Sequence, residues 1–200
     1  MSSKILVTQS LLSDFAWMFR KEDGYADFLR TLRREPKGQT KAMLDGIEFE
    51  NAVTALARGQ PIDGLHKPAW IATAQEVAND CYNGQFQVRL SRDLQLDDVT
   101  FVCYGVLDGL RAGEIIDIKY SKTYEVGKYR DSPQHPMYFW LCPEARAFTY
   151  LVSDGEWIYR ERYTPDITDH ISTHIRDMVR WLKAHGLYDE YARHWAAKED

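Results

Sequence analysis

Three strand-like segments follow one another in the middle of the chain and constrain its fold more than any other feature. Residues 86–96, 99–110 and 114–121 are rich in β-branched and aromatic side chains, which favour β-strands. Only a short turn at Arg111-Ala112-Gly113 separates the last two segments, so they are predicted to pair as a hairpin. The apolar side chains of such a sheet must be covered by other elements.

Helical patterns and two further strands lie around this central region. The predicted helices cover about residues 10–20, 25–34, 41–58 and 70–79, a short segment beginning at Ser132, and the C-terminal region. The two further strands, residues 146–153 and 156–163, flank Asp154-Gly155, a strong hairpin signal. This order predicts an α/β (α+β) fold in which a central mixed β-sheet is flanked by helices.

The composition indicates a single globular domain over residues 1–200. The hydrophobic content of 44% is too high for a disordered chain, and no apolar run approaches the roughly 20 residues that span a membrane. The N-terminal residues lack the pattern of a signal peptide. The lack of a long apolar run predicts no membrane partner. Cys81, Cys103 and Cys142 are far apart, so we expect a cytoplasmic protein with no iron–sulfur cluster. The pattern GxxxxGK(S/T) is absent, which predicts no nucleotide cofactor.

Charge is unevenly distributed along the chain. The net charge of −5 argues against strong non-specific binding of nucleic acid. Two basic groups nevertheless stand out: residues 30–41, and a second set formed by Lys119, Lys122, Lys128 and Arg130. Both groups are explained by solvated surface charge, but both also suit local attraction to a phosphate backbone.

Charged residues interrupt the strand at residues 114–121. Because successive strand residues point to opposite faces, Asp117, Lys119 and Ser121 share one face. The predicted hairpin brings Asp108 toward Asp117 at the same end of the sheet. Two neighbouring carboxylates repel each other and favour a hard cation between them, which predicts Mg²⁺ or Mn²⁺ bound by Asp108 and Asp117.

Lys119 and the backbone of Ile118 complete this predicted metal site. Neighbouring negative charge keeps the ammonium of Lys119 protonated, so we expect it to orient the attacking water and to stabilise charge on the reacting phosphate. The carbonyl of Ile118 is a further predicted metal ligand. Taken alone, Asp117 and Lys119 are better explained as an ion pair, so other residues must separate the two interpretations.

Two further features favour the metal site. Helical spacing places Glu50 on the apolar face of the helix at 41–58, where an unpaired carboxylate is unfavourable, and Gly46 one turn earlier would allow a close approach. Gln134 and Tyr138 are four residues apart and share a helix face, which suits binding of phosphate oxygens or ordering of water. The alternative for Glu50 is a buried acid satisfied by a hydrogen bond. The alternative for Gln134 and Tyr138 is that they are ordinary surface and core residues.

Together these motifs resemble the PD-(D/E)XK nuclease superfamily, and most of all its RecB-like branch of phage and recombination exonucleases. The matching series is Gly46-x-x-x-Glu50, Gly105-x-x-Asp108, Asp117-x-Lys119 and Gln134-x-x-x-Tyr138. The resemblance implies a restriction-endonuclease-like core at about residues 41–163, with helical additions at 1–40 and 164–200. Many members of this branch have His where Glu50 stands, so this chain looks closer to the phage-exonuclease-like variant.

The site residues are then predicted as follows. The catalytic residues are Glu50, Asp108, Asp117, Lys119, Gln134 and Tyr138. The metal ligands are Glu50, Asp108, Asp117 and Ile118. The substrate-binding residues are Ser121, Lys122, Lys128, Arg130, Gln134 and Tyr138.

The predicted function is a Mg²⁺- or Mn²⁺-dependent phosphodiesterase that acts on DNA. The resemblance favours an exonuclease on linear DNA in recombination, repair or phage DNA processing. Two alternatives stay open: a non-catalytic DNA-binding or assembly subunit on the same fold, and the same hydrolysis on RNA or branched DNA. The predicted partners are DNA and either a second copy of the chain or a recombination protein.

Overall fold

A mixed sheet of six strands forms the centre of the protein, whose computed structural model describes residues 4–20, 22–62 and 68–197. The strands are β1 (Lys4–Thr8), β2 (Gln85–Leu96), β3 (Val99–Arg111), β4 (Glu114–Tyr120), β5 (Ala147–Ser153) and β6 (Ile158–Tyr163). The helices are α1 (Gln9–Trp17), α2 (Gly24–Leu32), α3 (Lys41–Ala57), α4 (Ile71–Asp80), α5 (Gln134–Leu141), α6 (Ile171–Ala184) and α7 (Tyr188–His194). None of these described helices is long and apolar enough to cross a membrane.

The strands are arranged in the order β1-β3-β4-β5-β6, with β2 on the other edge of β3. β1 runs parallel to β3 and β4 runs parallel to β5, whereas the remaining pairs are antiparallel. The β3–β4 and β5–β6 hairpins therefore form at the turns that the sequence predicts. The expectation of a central mixed sheet flanked by helices is confirmed.

Helices cover both faces of the sheet. One face, which carries Ile115 and Tyr150, packs in a core to which α1, α5 and α6 contribute. The opposite face, which carries Ile116 and Ile118, packs with α3 and α4. Because side chains alternate along β4, Asp117 lies on the same face as Ile115, toward α5.

One edge of β3 is shared by two different strands, and this division positions the site. β1 pairs with residues 100–104 of β3, and β4 pairs with residues 109–111 of the same edge. Residues 105–108 of β3 therefore face a gap between the end of β1 and the part of β4 that turns toward β5. Side chains from three strands can enter this gap.

The N-terminal segment corrects one expectation. Residues 1–40 were expected to form a helical addition to the core, but Lys4–Thr8 is a strand in the sheet. The other end of the chain also reaches this strand, since the Leu6 N–H donates to the Trp195 carbonyl at 2.7 Å. The apolar run within this strand, Ile5-Leu6-Val7, is too short to distinguish a strand from the first turn of a helix by its pattern.

Candidate active site

The gap beside β3 opens into a cleft of about 310 Å³. All of the residues predicted as catalytic line this cleft: Glu50, Asp108, Asp117, Lys119, Gln134 and Tyr138. They come from α3, β3, β4 and α5, so the fold assembles the cleft from four elements that are separated in the sequence.

Asp108 lies where β3 and β4 separate. The last pair before the separation is Gly109 with Ile116. Beyond it, the Asp108 side chain takes the place of a strand carbonyl, because its Oδ2 accepts the backbone N–H of Ile118 at 3.0 Å. The N–H and C=O of a strand residue point to the same edge, so the Ile118 carbonyl faces this gap as well.

Asp117 is the most deeply buried acid of the cleft, with 1% of its surface exposed. Its Oδ1 accepts a short hydrogen bond of 2.5 Å from Gln134 Nε2, and its Oδ2 lies 2.7 Å from the ammonium nitrogen of Lys119. Apart from Lys119, no described residue donates to Oδ2. Burial raises the pKa of Asp117 to about 7; Lys119 opposes this rise, and the charges of Asp108 and Glu50 add to it.

Lys119 remains cationic in this environment. Burial by itself would lower the pKa of its ammonium, but the carboxylates of Asp117 and Asp108 outweigh burial and raise that pKa above its ordinary value. About one third of the side chain is exposed, toward the cleft that it lines. Lys119 can therefore donate to a bound anion while it balances part of the negative charge of the acids.

Glu50 reaches the cleft from α3, at the margin of the buried stripe formed by Phe49 and Val53. Its Oε1 accepts a hydrogen bond from Gln87 Nε2 at 2.7 Å. Burial and the charge of Asp108 raise the pKa of Glu50 to about 7. A Cβ on Gly46 would meet open space, so the expected close approach at that glycine is wrong.

The close approach occurs at Gly105 instead. A Cβ there would lie 2.5 Å from Tyr138 Cε1, so the absence of a side chain lets α5 pack directly on β3. The hydroxyl of Tyr138 donates to the Val106 carbonyl at 2.8 Å. This packing holds Gln134, one turn earlier on α5, against Asp117. Roles of Gln134 and Tyr138 toward substrate stay predictions.

The other predicted substrate-binding residues lie outside the cleft walls that the structure describes. Ser121 and Lys128 are joined by a 2.8 Å hydrogen bond in the segment after β4, and Lys122 and Arg130 are exposed in the same segment. Their role in binding substrate stays a prediction.

In the basic group at 30–41, several residues pair with acids of the chain itself. Arg30 pairs with Asp27, Arg33 with Glu190, and Lys37 with Asp14. These internal pairs reduce the charge that this group can offer to a phosphate backbone.

Six residues at the site were not singled out from the sequence: Thr8, Gln9, Ser10, Tyr104 and Val106, which line the cleft, and Gln87, which contacts Glu50. Thr8, Gln9 and Ser10 line the cleft because β1 ends and α1 begins beside the gap. The side chain of Thr8 accepts from the Leu11 N–H, so a Thr followed by a helical pattern was an available N-cap signal. Gln87 gives no such signal, since its contact with Glu50 joins positions 37 residues apart.

The donor set of the cleft is of the kind that suits a hard divalent cation. The carboxylates of Glu50, Asp108 and Asp117 offer oxygen ligands to the cleft, and Asp117 Oδ2 has only the ion pair with Lys119. Ile118 is not among the residues that line the described cleft, so its carbonyl as a metal ligand stays a prediction. Within residues 4–20, 22–62 and 68–197, no three His, Cys, Asp or Glu side chains are gathered closely enough to hold an ion as they stand. Metal binding by Glu50, Asp108 and Asp117 stays a prediction.

Comparison with known proteins identifies the fold alone. The chain is similar to the crystal structure of SSO0001, with a TM-score of 0.54 and 15% sequence identity over 92% of this chain and 78% of that chain. No protein-family model matches the chain, and no curated protein matches it.

Proposed function

We propose that this chain is a metal-dependent nuclease of the PD-(D/E)XK type that hydrolyses phosphodiester bonds of DNA from its ends. One observation carries the proposal: Asp108, Asp117 and Lys119 meet Glu50 and Gln134 in a single cleft. A site that served only to bind DNA has no need of three crowded carboxylates, which repel the backbone phosphates. The three described cysteines are free and buried, which is consistent with a protein of the reducing cytoplasm.

The residues of the cleft have distinct tasks in this proposal. Asp108, Asp117 and Glu50 would hold the divalent cation, together with the Ile118 carbonyl. Gln134 fixes the orientation of the Asp117 carboxylate through its hydrogen bond to Oδ1. Lys119 donates to the attacking water or to a phosphate oxygen, where negative charge increases in the transition state.

A divalent cation held there would supply Lewis-acid polarisation of a phosphate oxygen and would lower the pKa of a bound water. The raised pKa values of Asp117 and Glu50, both about 7, are consistent with this requirement, because crowded and partly desolvated carboxylates gain most from a neighbouring cation.

The test is digestion of linear duplex DNA labelled at either end. The wild-type protein should release label in the presence of Mg²⁺ or Mn²⁺, and this release should stop when EDTA is added. Asp108→Asn removes one carboxylate charge but keeps an oxygen that can accept the Ile118 N–H, so it should abolish release while leaving the fold intact. Asp98→Asn is the matched control, since Asp98 is exposed in the β2–β3 turn.

The substrates of the assay separate the remaining candidates. Single-stranded DNA, branched DNA and RNA are tested beside the duplex, and circular duplex distinguishes cleavage inside a strand from cleavage at an end. A wild-type protein that binds duplex but cleaves none of these substrates with either metal would favour the non-catalytic binding subunit.

A further inference from the structure

The backbone of β2 is distorted at Gln87. This residue has a φ of +55°, a left-handed conformation that side chains with a Cβ rarely adopt. The other described non-glycine residues with positive φ all lie in turns: Arg34, Asn83, Asp97 and Ala112. Gln87 alone among them lies inside a strand.

The distortion changes which face of the sheet the strand contributes to. Phe86 packs with the core beneath α3 and α4, whereas Val88 packs with the core on the opposite face. The side chains of residues two apart in a regular strand point to the same face. The backbone at Gln87 must therefore rotate the strand, so that Phe86 and Val88 point to opposite faces. Glycine adopts this conformation without steric cost, and its absence here suggests that the side chain of Gln87 is needed.

The same distortion coincides with the catalytic edge of β3. The pairs Phe86 with Gly109 and Val88 with Leu107 are intact, and the pair missing between them is Gln87 with Asp108. Gln87 thus lies opposite one acid of the cleft and donates from Nε2 to Oε1 of another, Glu50, at 2.7 Å. An amide can orient a carboxylate without adding a positive charge that would compete with a bound cation.

We propose that Gln87 is a positioning residue, held in a strained backbone conformation so that its amide aims the Glu50 carboxylate at the metal. This role rests on the proposed function, because Glu50 needs this orientation only as a ligand. Outer partners that orient a ligand raise metal affinity by about 10- to 100-fold. Strained residues that persist at a functional site are consistent with such a role.

The test compares Gln87→Gly with the wild-type protein in two measurements. Calorimetric titration with MnCl₂ alone should give binding about 10-fold weaker or more for the variant. Thermal unfolding in EDTA should give a melting temperature no lower than that of wild type, because glycine relieves the restriction at positive φ. Gln85→Ala is the matched control, since Gln85 is an exposed glutamine two residues earlier on β2, and it should bind Mn²⁺ as wild type does.

Each other outcome overturns a definite statement. Equal Mn²⁺ affinity for Gln87→Gly and wild type would refute the positioning role and leave the nuclease proposal intact. Weaker binding together with a lower melting temperature would mean that Gln87 serves the fold, which also refutes the role. A wild-type protein that binds no Mn²⁺ would refute the proposed metal site, and the role of Gln87 with it.

Discussion

Two buried acids lie in register on the same face of the sheet and differ in how they are satisfied. Asp117 on β4 pairs with Tyr150 on β5, and Tyr150 pairs in turn with Glu161 on β6. Glu161 accepts from the hydroxyls of Tyr124 and Tyr163 and from the Tyr129 N–H. Both of its oxygens therefore receive hydrogen bonds.

Asp117 has no such complete set of donors. One of its oxygens contacts Gln134, and the other has only the ion pair with Lys119, while two more carboxylates line the same cleft. The difference shows that two acids of similar burial can differ in how completely their oxygens are hydrogen-bonded. Glu161 anchors the segment that carries Tyr124 and Tyr129, whereas Asp117 is the acid to which the proposed function assigns metal binding.

The largest expected effect tests the functional side of this comparison. Asp117→Asn keeps an oxygen for Gln134 but removes the charge, and we expect metal-dependent cleavage to fall on the order of 10³-fold. Glu161→Gln should retain most of the activity, because Glu161 does not line the described cleft. Initial rates on end-labelled duplex measure both, and circular dichroism checks the fold. Equal losses in the two variants would remove the distinction between the acids.

The structural side of the comparison is tested by removing the Glu161 side chain. Glu161→Ala leaves two tyrosine hydroxyls and one backbone N–H without their acceptor, and we expect the free energy of unfolding to fall by about 2–4 kcal/mol. Urea denaturation measures this change, with Glu161→Gln as the control that keeps an acceptor oxygen. A loss below about 0.5 kcal/mol for Glu161→Ala would contradict the anchoring role.

The pH dependence of stability gives a third test, on the crowded acids. The pKa of Glu50 rises on folding from its ordinary 4.5 to about 7, so its contribution favours folding below about pH 4.5 and is lost as the pH rises through about 7. The Glu50→Gln variant does not lose stability in this way, because glutamine does not titrate. In EDTA, we expect the variant to be about 1–3 kcal/mol more stable than wild type at pH 8 and nearly equal to it at pH 4.5.

Urea denaturation at pH 4.5, 6 and 8 measures this difference. Added Mg²⁺ should stabilise the wild-type protein at pH 8 more than the variant, because the cation offsets the repulsion between Glu50 and Asp108. A difference between variant and wild type that stays constant across the pH series would contradict the crowding of these acids.

The smallest expected effects on stability come from substitutions of Gly46 and Gly105, the two glycines in the motifs that resemble those of PD-(D/E)XK nucleases. Gly105→Ala introduces a Cβ against the ring of Tyr138 and should lower the free energy of unfolding by about 1–3 kcal/mol. Gly46→Ala, inside α3 and facing open space, should raise it by about 0.5–1 kcal/mol. Comparison of the two variants tests whether the packing of α5 on β3 holds Gln134 against Asp117. If it does, Gly105→Ala should also reduce cleavage and Gly46→Ala should not. Equal effects of the two substitutions would contradict the close approach at Gly105.

Much of the site could be predicted because its central residues are close in the sequence. Asp108 and Asp117 flank a short hairpin, and alternation along β4 places Asp117 and Lys119 on one face whatever the rest of the fold does. The assignment of the close approach to Gly46 failed for the opposite reason. Which glycine meets another helix depends on how α5 packs on β3, and the spacing within α3 carries no information about that contact.

The sequence by itself determined the strands from β2 to β6, their two hairpins and the chemistry of the residues on β4, because turn residues and side-chain alternation act over a few positions. Only the tertiary structure decided that β1 enters the sheet and leaves a gap beside Asp108. It also decided that Gln87 meets Glu50, and that Glu161 is satisfied where Asp117 is not. These features depend on contacts between residues far apart in the chain, and such contacts are selected by the packing of the whole core rather than by local pattern.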